Sequence, residues 1–196
     1  MKVAVCFSGG KDSALASLLL DPFYEVTLVC ATAGVTDSAV HAREAAEALD
    51  FPFELVELDE EVVREAAEQV VTDGFPRNAI QEIHEHALEE VATLEYDAVA
   101  DGTRRDDRVP TITRAFAQSL EDRHGIDYLA PLTGYGRGAV DRLVEAHLDV
   151  ESGPSERVPK GDYEAEIRAA ISERHGDETV RECFPEHVQT RVRGRR

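Results

Sequence analysis

At 196 residues the chain suits a single domain with room for a full hydrophobic core, and no apolar run approaches the length that crosses a bilayer. Its 40 acidic residues against 21 basic ones leave a net charge of −19, which taken alone argues against a nucleic-acid partner. Cys6, Cys30 and Cys183, widely and unevenly spaced, argue against a disulfide framework and a paired-cysteine metal site, so the expected location is the cytoplasm.

Short runs rich in Val, Leu, Phe and Ala predict strands at 2–7, 25–31, 53–58, 97–101 and 127–130. Helical periodicity lies between and after them, at 12–20, 37–49, 60–72, 79–94, 109–123, 138–147 and 162–174. Asp37 and Asp162 read as helix N-caps, and Gly125 and Gly176 as helix stops. A break at Thr72-Asp73-Gly74-Phe75-Pro76 splits the stretch between strands three and four into two helices, and residues 149–161 read as a long polar loop. Strands alternating with helices imply parallel pairing through right-handed crossovers. The expected fold is α/β: a doubly wound, five-stranded parallel sheet in the order 3-2-1-4-5 with helices on both faces, Rossmann-like. The division expected is a main domain over 1–176 and a basic C-terminal tail over 177–196.

The first strand runs into Ser8-Gly9-Gly10-Lys11-Asp12-Ser13 and then a helix. Two glycines permit a tight turn that exposes successive N–H groups, and the helix points its positive end at the same spot. Lys11 adds a charge, and Ser8 and Ser13 add hydroxyls, so the junction suits a phosphate or pyrophosphate group. It is not a Walker A loop, because Val5 and Asp12 stand where that pattern needs Gly and Ser or Thr. The hexapeptide instead matches all the fixed positions of S-G-G-x-D-S and resembles the PP-loop of the ATP pyrophosphatase family, within the adenine nucleotide alpha-hydrolase-like (HUP) superfamily.

In a 3-2-1-4-5 sheet, strands one and four adjoin where the winding reverses, and ligands bind at their carboxyl ends. The strand-four end is Asp101-Gly102-Thr103-Arg104-Arg105-Asp106-Asp107-Arg108. Asp106 and Asp107 suit magnesium, which is held by one or two carboxylates plus nucleotide phosphates. The resemblance implies ATP and Mg²⁺, with phosphate held by Ser8, Gly9, Gly10, Lys11, Asp12 and Ser13. It also implies adenine and ribose near Ala31 and Thr32, and contacts from Gly102 and Thr103. Lys160 either approaches the phosphates or is an ordinary exposed lysine. The implied catalytic residues are Lys11, Asp12 and Asp107, and the implied metal ligands Asp12, Asp106 and Asp107.

Several features are set aside. Gly134 to Ala139 fits a dinucleotide fingerprint, yet reads as a loop opening a helix. His84-Glu85-His86 lies on a helix, where residues two apart diverge, and reads as a solvated or amphipathic face. An iron–sulfur cluster is disfavoured, Cys6 being expected in the core and Cys183 in the tail. Only Lys2, Lys11 and Lys160 are lysine, and an acidic surface nearly without lysine suits a halophile, whose charges are screened within about 3 Å at 1 M salt. Global charge then says little about partners. Arg191, Arg193, Arg195 and Arg196 form either a frayed tail or a contact for RNA phosphate.

By resemblance, the expected activity is ATP pyrophosphatase: an adenylating, AMP- and PPi-forming enzyme that activates a substrate, with a tRNA base foremost. Gly74 to Ala79 carries none of the cysteine usual in the tRNA thiolases, which argues against persulfide chemistry. The alternatives are a non-hydrolytic ATP/AMP-binding sensor, or a catalytic subunit acting on a small molecule with a partner chain. No membrane partner is expected, and a homodimer or a partner subunit stays open.

Overall fold

The computed structural model describes residues 1–155 and 157–196. Five parallel strands, β1 (Lys2–Cys6), β2 (Glu25–Thr32), β3 (Phe53–Glu57), β4 (Ala98–Ala100) and β5 (Asp127–Leu129), form one sheet in the order β3-β2-β1-β4-β5. The predicted fold class and strand order are therefore observed. In the register, Val3 faces Val26 on one side and Ala98 on the other, and Val5 faces Leu28 and Ala100. The central strands are apolar on both faces because helices cover both. Val3, Val5, Leu28 and Cys30 point to the layer of α1 (Lys11–Leu20), α2 (Ala39–Ala48) and α6 (Arg137–His147). Ala4, Cys6, Val29 and Val99 point instead to α4 (Arg77–Ala92) and α5 (Arg114–His124).

Helix α3 (Glu60–Asp73) buries Val63, Ala66, Ala67 and Val70, one stripe of a 3.6-residue period. Asp59 caps its start by accepting from the Glu61 amide, and Gly74, at φ 67°, ends it. Helices α3, α4 and α7 (Tyr163–His175) enclose a second apolar cluster with α8 (Asp177–Cys183).

Asp162 and Gly125 act as expected, the former accepting from the Ala165 amide and the latter closing α5 in the left-handed region. Asp37 does not cap, since α2 follows Ser38. The helix expected over 109–123 begins only at Arg114, where the Thr113 hydroxyl accepts from the Phe116 amide and supplies the stronger start signal. Gly134 ends a 3-10 turn (Pro131–Gly134), and Gly136 precedes α6, so the dinucleotide-like glycines open a helix.

Two expectations are corrected. The first part of the loop expected over 149–161 is strand β6 (Leu148–Pro154), and the tail expected over 177–196 is α8 followed by β7 (Val188–Arg195). These two strands pair antiparallel, with Glu151 opposite Arg191 and Ser152 opposite Thr190. Glu156, within the expected loop, lies outside the described residues. β7 reaches the loop that follows β1: the Val192 amide donates to the Gly9 carbonyl at 2.9 Å.

Candidate functional site

The Phe7 amide extends β1 by one hydrogen bond to the Val29 carbonyl, at 2.8 Å, and the chain then turns. Gly9 sits at φ 87°, a conformation L-residues avoid, and Gly10 is extended at the N-cap of α1. The loop is held from behind by its carbonyls: Gly161 donates to Ser8 at 2.9 Å and Val192 to Gly9. Among the described residues, the amides of Gly9 and Gly10 donate to no protein acceptor. Free N–H groups, a positive φ and a helix N-terminus together make an anion cradle. The Thr190 hydroxyl of β7 closes one side of it, accepting from the Lys11 amide at 3.4 Å.

The opposing wall rises from β4. Gly102 presses on α1 so closely that a Cβ built there would stand 2.5 Å from the Ser13 amide nitrogen. Arg104 then bridges two acids. Its amide and guanidinium hold Asp107 at 2.7 and 2.8 Å, and Nη1 lies 3.8 Å from Asp12 Oδ1. Burial works against the Arg104 charge, but Asp107, Asp12 and Asp106 outweigh it and raise its pKa. Lys11 Nζ reaches the same Asp12 oxygen at 2.6 Å. Lys160 enters from the far rim, 2.7 Å from Asp162 Oδ2. Burial lowers its pKa, but Asp162, Glu164 and Asp12 raise it further, so it stays cationic.

These groups line one cleft of about 930 Å³ at the carboxyl ends of β1 and β4. Ser8, Gly10, Lys11, Asp12, Ser13, Ala31, Gly102, Thr103, Asp107 and Lys160 all line it, as a switch-point site requires. Three expected residues do not. Gly9 shapes the turn from behind. Asp106 stands off the cleft, with Arg104 Nε at 4.0 Å. Thr32 is buried and donates to Glu166 Oε1 at 2.7 Å, while Glu166 Oε2 accepts from the Ala33 amide at 3.0 Å. The backbone donor at the end of β2 is thus already taken by a carboxylate that is 1% exposed.

Among the described residues, no three metal-binding side chains converge. The donor set therefore fits a magnesium ion only as Asp12 and Asp107 completed by phosphate oxygens, the usual arrangement for that ion. Cys183 is buried with α8 rather than free on a tail, and burial, with Glu166 and Asp162 adding, pushes the Cys30 thiol up to about 12.

The arginine cluster is spent within the fold. Arg191 is buried and pairs with Glu44, Arg193 pairs with Glu151, and Arg195 donates to the Leu49 carbonyl and covers the Phe51 ring. Arg196 donates to the Glu145 carbonyl. None of the four lines the cleft; from the expected tail Phe184, Pro185, His187 and Thr190 do.

His84 is not on a solvated face. It is buried in the apolar stripe of α4, with Nε2 2.9 Å from Asp101 Oδ2 and Nδ1 3.3 Å from the Tyr163 hydroxyl. Asp101 also accepts from the Thr103 amide and hydroxyl at 2.9 and 2.7 Å and from the Tyr128 hydroxyl at 3.0 Å. Burial works against its charge, yet His84 and Thr103 outweigh that and hold the pKa below the ordinary aspartate value. The signal for His84 was available: a histidine flanked by Ile83, Ala87 and Leu88 on a buried stripe needs a partner.

A depressed carboxylate stabilises the fold above its unfolded pKa, and the contribution is lost as pH falls through the folded value. Acid unfolding followed by circular dichroism should therefore steepen below the ordinary aspartate pKa of about 3.9. Asp101→Asn should remove that part of the slope and lower stability at neutral pH. An unchanged acid limb would show that Asp101 is not the linked group.

The family of unknown function DUF7411 matches residues 1–194. An uncharacterized protein of Methanocaldococcus jannaschii is 42% identical over 195 residues, spanning 99% of this chain and 96% of that protein. A crystal structure from the same organism, described as that of a "predicted subunit of tRNA methyltransferase", is 40% identical with a TM-score of 0.90. The alignment covers 100% of this chain and 98% of that one.

Proposed function

The chain belongs to the family of unknown function DUF7411, and from that premise we propose that it is an ATP pyrophosphatase of the PP-loop kind that adenylates a tRNA base for modification. The observation that carries this reading is the Ser8–Ser13 cradle set against the Gly102–Asp107 wall at the switch point of the sheet. The substrate guess draws on the M. jannaschii structure's description as a tRNA methyltransferase subunit. That description speaks of methyl transfer, but free backbone donors beside Lys11 and Arg104 suit phosphate oxygens, so nucleotidyl transfer is the chemistry assigned.

A substrate oxygen would attack the α-phosphorus of ATP and pyrophosphate would leave. The Gly10 amide, the α1 terminus and Lys11 would hold the charge growing on the pyrophosphate. Arg104 fixes Asp12 and Asp107 in place. Mg²⁺ bound by these two would neutralise phosphate charge. A second nucleophile would then displace AMP. Because the four tail arginines are engaged within the fold, RNA would be met at the cleft rim, where Arg77 and Arg108 stand. The scarcity of lysine favours a halophilic setting and assay in molar salt. A second reading, a catalytic subunit that needs a partner chain, draws on the word "subunit" in the same description. Among the described residues no helix is long and apolar enough to cross a membrane.

The test is product analysis of α-labelled ATP with Mg²⁺ in molar KCl, with and without bulk tRNA. AMP and pyrophosphate appearing only with tRNA are expected. AMP without tRNA would move the substrate to a small molecule, and tight ATP binding without turnover would replace the enzyme with a nucleotide sensor.

A further inference from the structure

One buried polar assembly at the cleft takes no part in holding phosphate. Asp101 at the end of β4 is 1% exposed, His84 on α4 is 6% exposed, and Tyr163 opens α7; all three line the cleft. An ionised carboxylate only accepts hydrogen bonds, so His84 Nε2 carries a proton and donates it to Asp101 Oδ2. In the Nε2–H tautomer the lone pair of Nδ1 faces the Tyr163 hydroxyl, which then donates to it across 3.3 Å. With its proton directed inward, the phenol oxygen is left to accept a hydrogen bond from the cleft. The rings meet edge to face at 6.0 Å, which holds the pair in register.

We propose that Tyr163, His84 and Asp101 form a proton-accepting relay that deprotonates the substrate as it is adenylated; the proposal rests on the adenylation reading. As the substrate oxygen bonds to the α-phosphorus, the bond to the leaving pyrophosphate breaks and its electron pair departs with the pyrophosphate. The substrate's N–H proton passes to the Tyr163 oxygen while the phenolic proton moves to His84 Nδ1. An imidazolium then stands beside the Asp101 carboxylate, the arrangement in which an acid orients and stabilises a histidine base.

The substrate class follows from this chemistry. A carboxylate is already ionised at neutral pH and has no proton to give up. A lactam or cyclic amide, such as a nucleobase carbonyl flanked by N–H, becomes a strong oxygen nucleophile only as that proton is lost. Tyr163 passes a proton without keeping the charge, since burial, with Cys6, Cys30, Asp101 and Asp162 adding, raises its pKa well above the ordinary value. The titratable groups facing the relay are Cys6 of β1, Cys30 of β2, Tyr128 of β5 and Asp162 before α7. Tyr163 is the member that would touch substrate; His84 and Asp101 act through it.

Tyr163→Phe keeps the ring, and His84→Gln keeps a donor for Asp101. Each should lower AMP formation by about 100-fold, the lower end for general base catalysis, with ATP affinity unchanged. Wild-type rates in both variants would overturn the relay. Nitrogen-15 NMR of labelled histidine tests its wiring without any assay: the Nε2–H tautomer is expected, with Tyr163→Phe moving the Nδ1 signal. An Nδ1–H tautomer would overturn the proposal even where AMP forms. A wild-type protein that forms no AMP would instead sink the adenylation reading.

Discussion

Lys11→Ala is expected to lower AMP formation by about two to three orders of magnitude, the usual cost of removing one donor from a site of developing charge. Stability should hardly change. The Lys11–Asp12 pair is partly exposed, at 19% and 30% of the two side chains, and pairs of that kind contribute about 0–1 kcal/mol. The contrast separates a functional role from a structural one: a large rate loss at constant melting temperature, read by product analysis and calorimetry. Asp12→Ala should match it in rate for a different reason. Asp12 holds both Lys11 and Arg104, so its loss frees two cations from their places. It also removes an acid from the first turn of α1, worth about 0.3–1 kcal/mol. Lys11→Arg should restore little, because a planar fork cannot replace a compact point charge in a cradle of backbone amides. Unchanged AMP release from Lys11→Ala would overturn the assignment of Ser8–Ser13 as a pyrophosphate site.

The parallel sheet was legible because its strands are short, apolar and β-rich, and each is followed by a run of helical period. The β1–α1 junction and the Gly102–Asp107 segment were legible for a topological reason: once the order 3-2-1-4-5 is accepted, both ends must meet. What the sequence hid depends on long-range pairing. In β7 the arginines at 191, 193 and 195 alternate with Thr190, Val192 and Gly194, a strand period, yet three arginines read first as charge. Only their acceptors, Glu44, Glu151 and Leu49, from distant segments, reveal them as structural. His84 was misread for the same reason. Helical spacing alone says that His84 and His86 diverge, but not that Asp101, 17 residues on, waits at the end of β4. The resemblance puts adenine and ribose near Thr32, but only the fold shows that the Thr32 hydroxyl donates to Glu166, 134 residues away.

Gly102→Ala is the substitution expected to do most damage for least chemistry. The added methyl carbon would stand 2.5 Å from the Ser13 nitrogen and 2.8 Å from the Asp12 carbonyl carbon and the Ser13 Cα. All three are backbone atoms, so no rotamer change relieves the clash, and either β4 or the start of α1 must shift. Overpacking of this kind costs about 1–3 kcal/mol, and each kcal/mol lowers the melting temperature of a chain this size by about 2–4 °C. The larger loss should be in ATP binding, about tenfold or more by titration, since a displacement of a few tenths of an ångström separates the amide cradle from Thr103 and Arg104. Gly134→Ala is the matched control: nothing lies within 4 Å of its added carbon, so melting and binding should both stay at wild-type levels. Gly102→Ala with a lowered melting temperature but intact ATP affinity would mean that nucleotide is held by the Ser8–Ser13 loop alone. The β4 segment, with Asp107 and its proposed metal role, would then have no part in binding it.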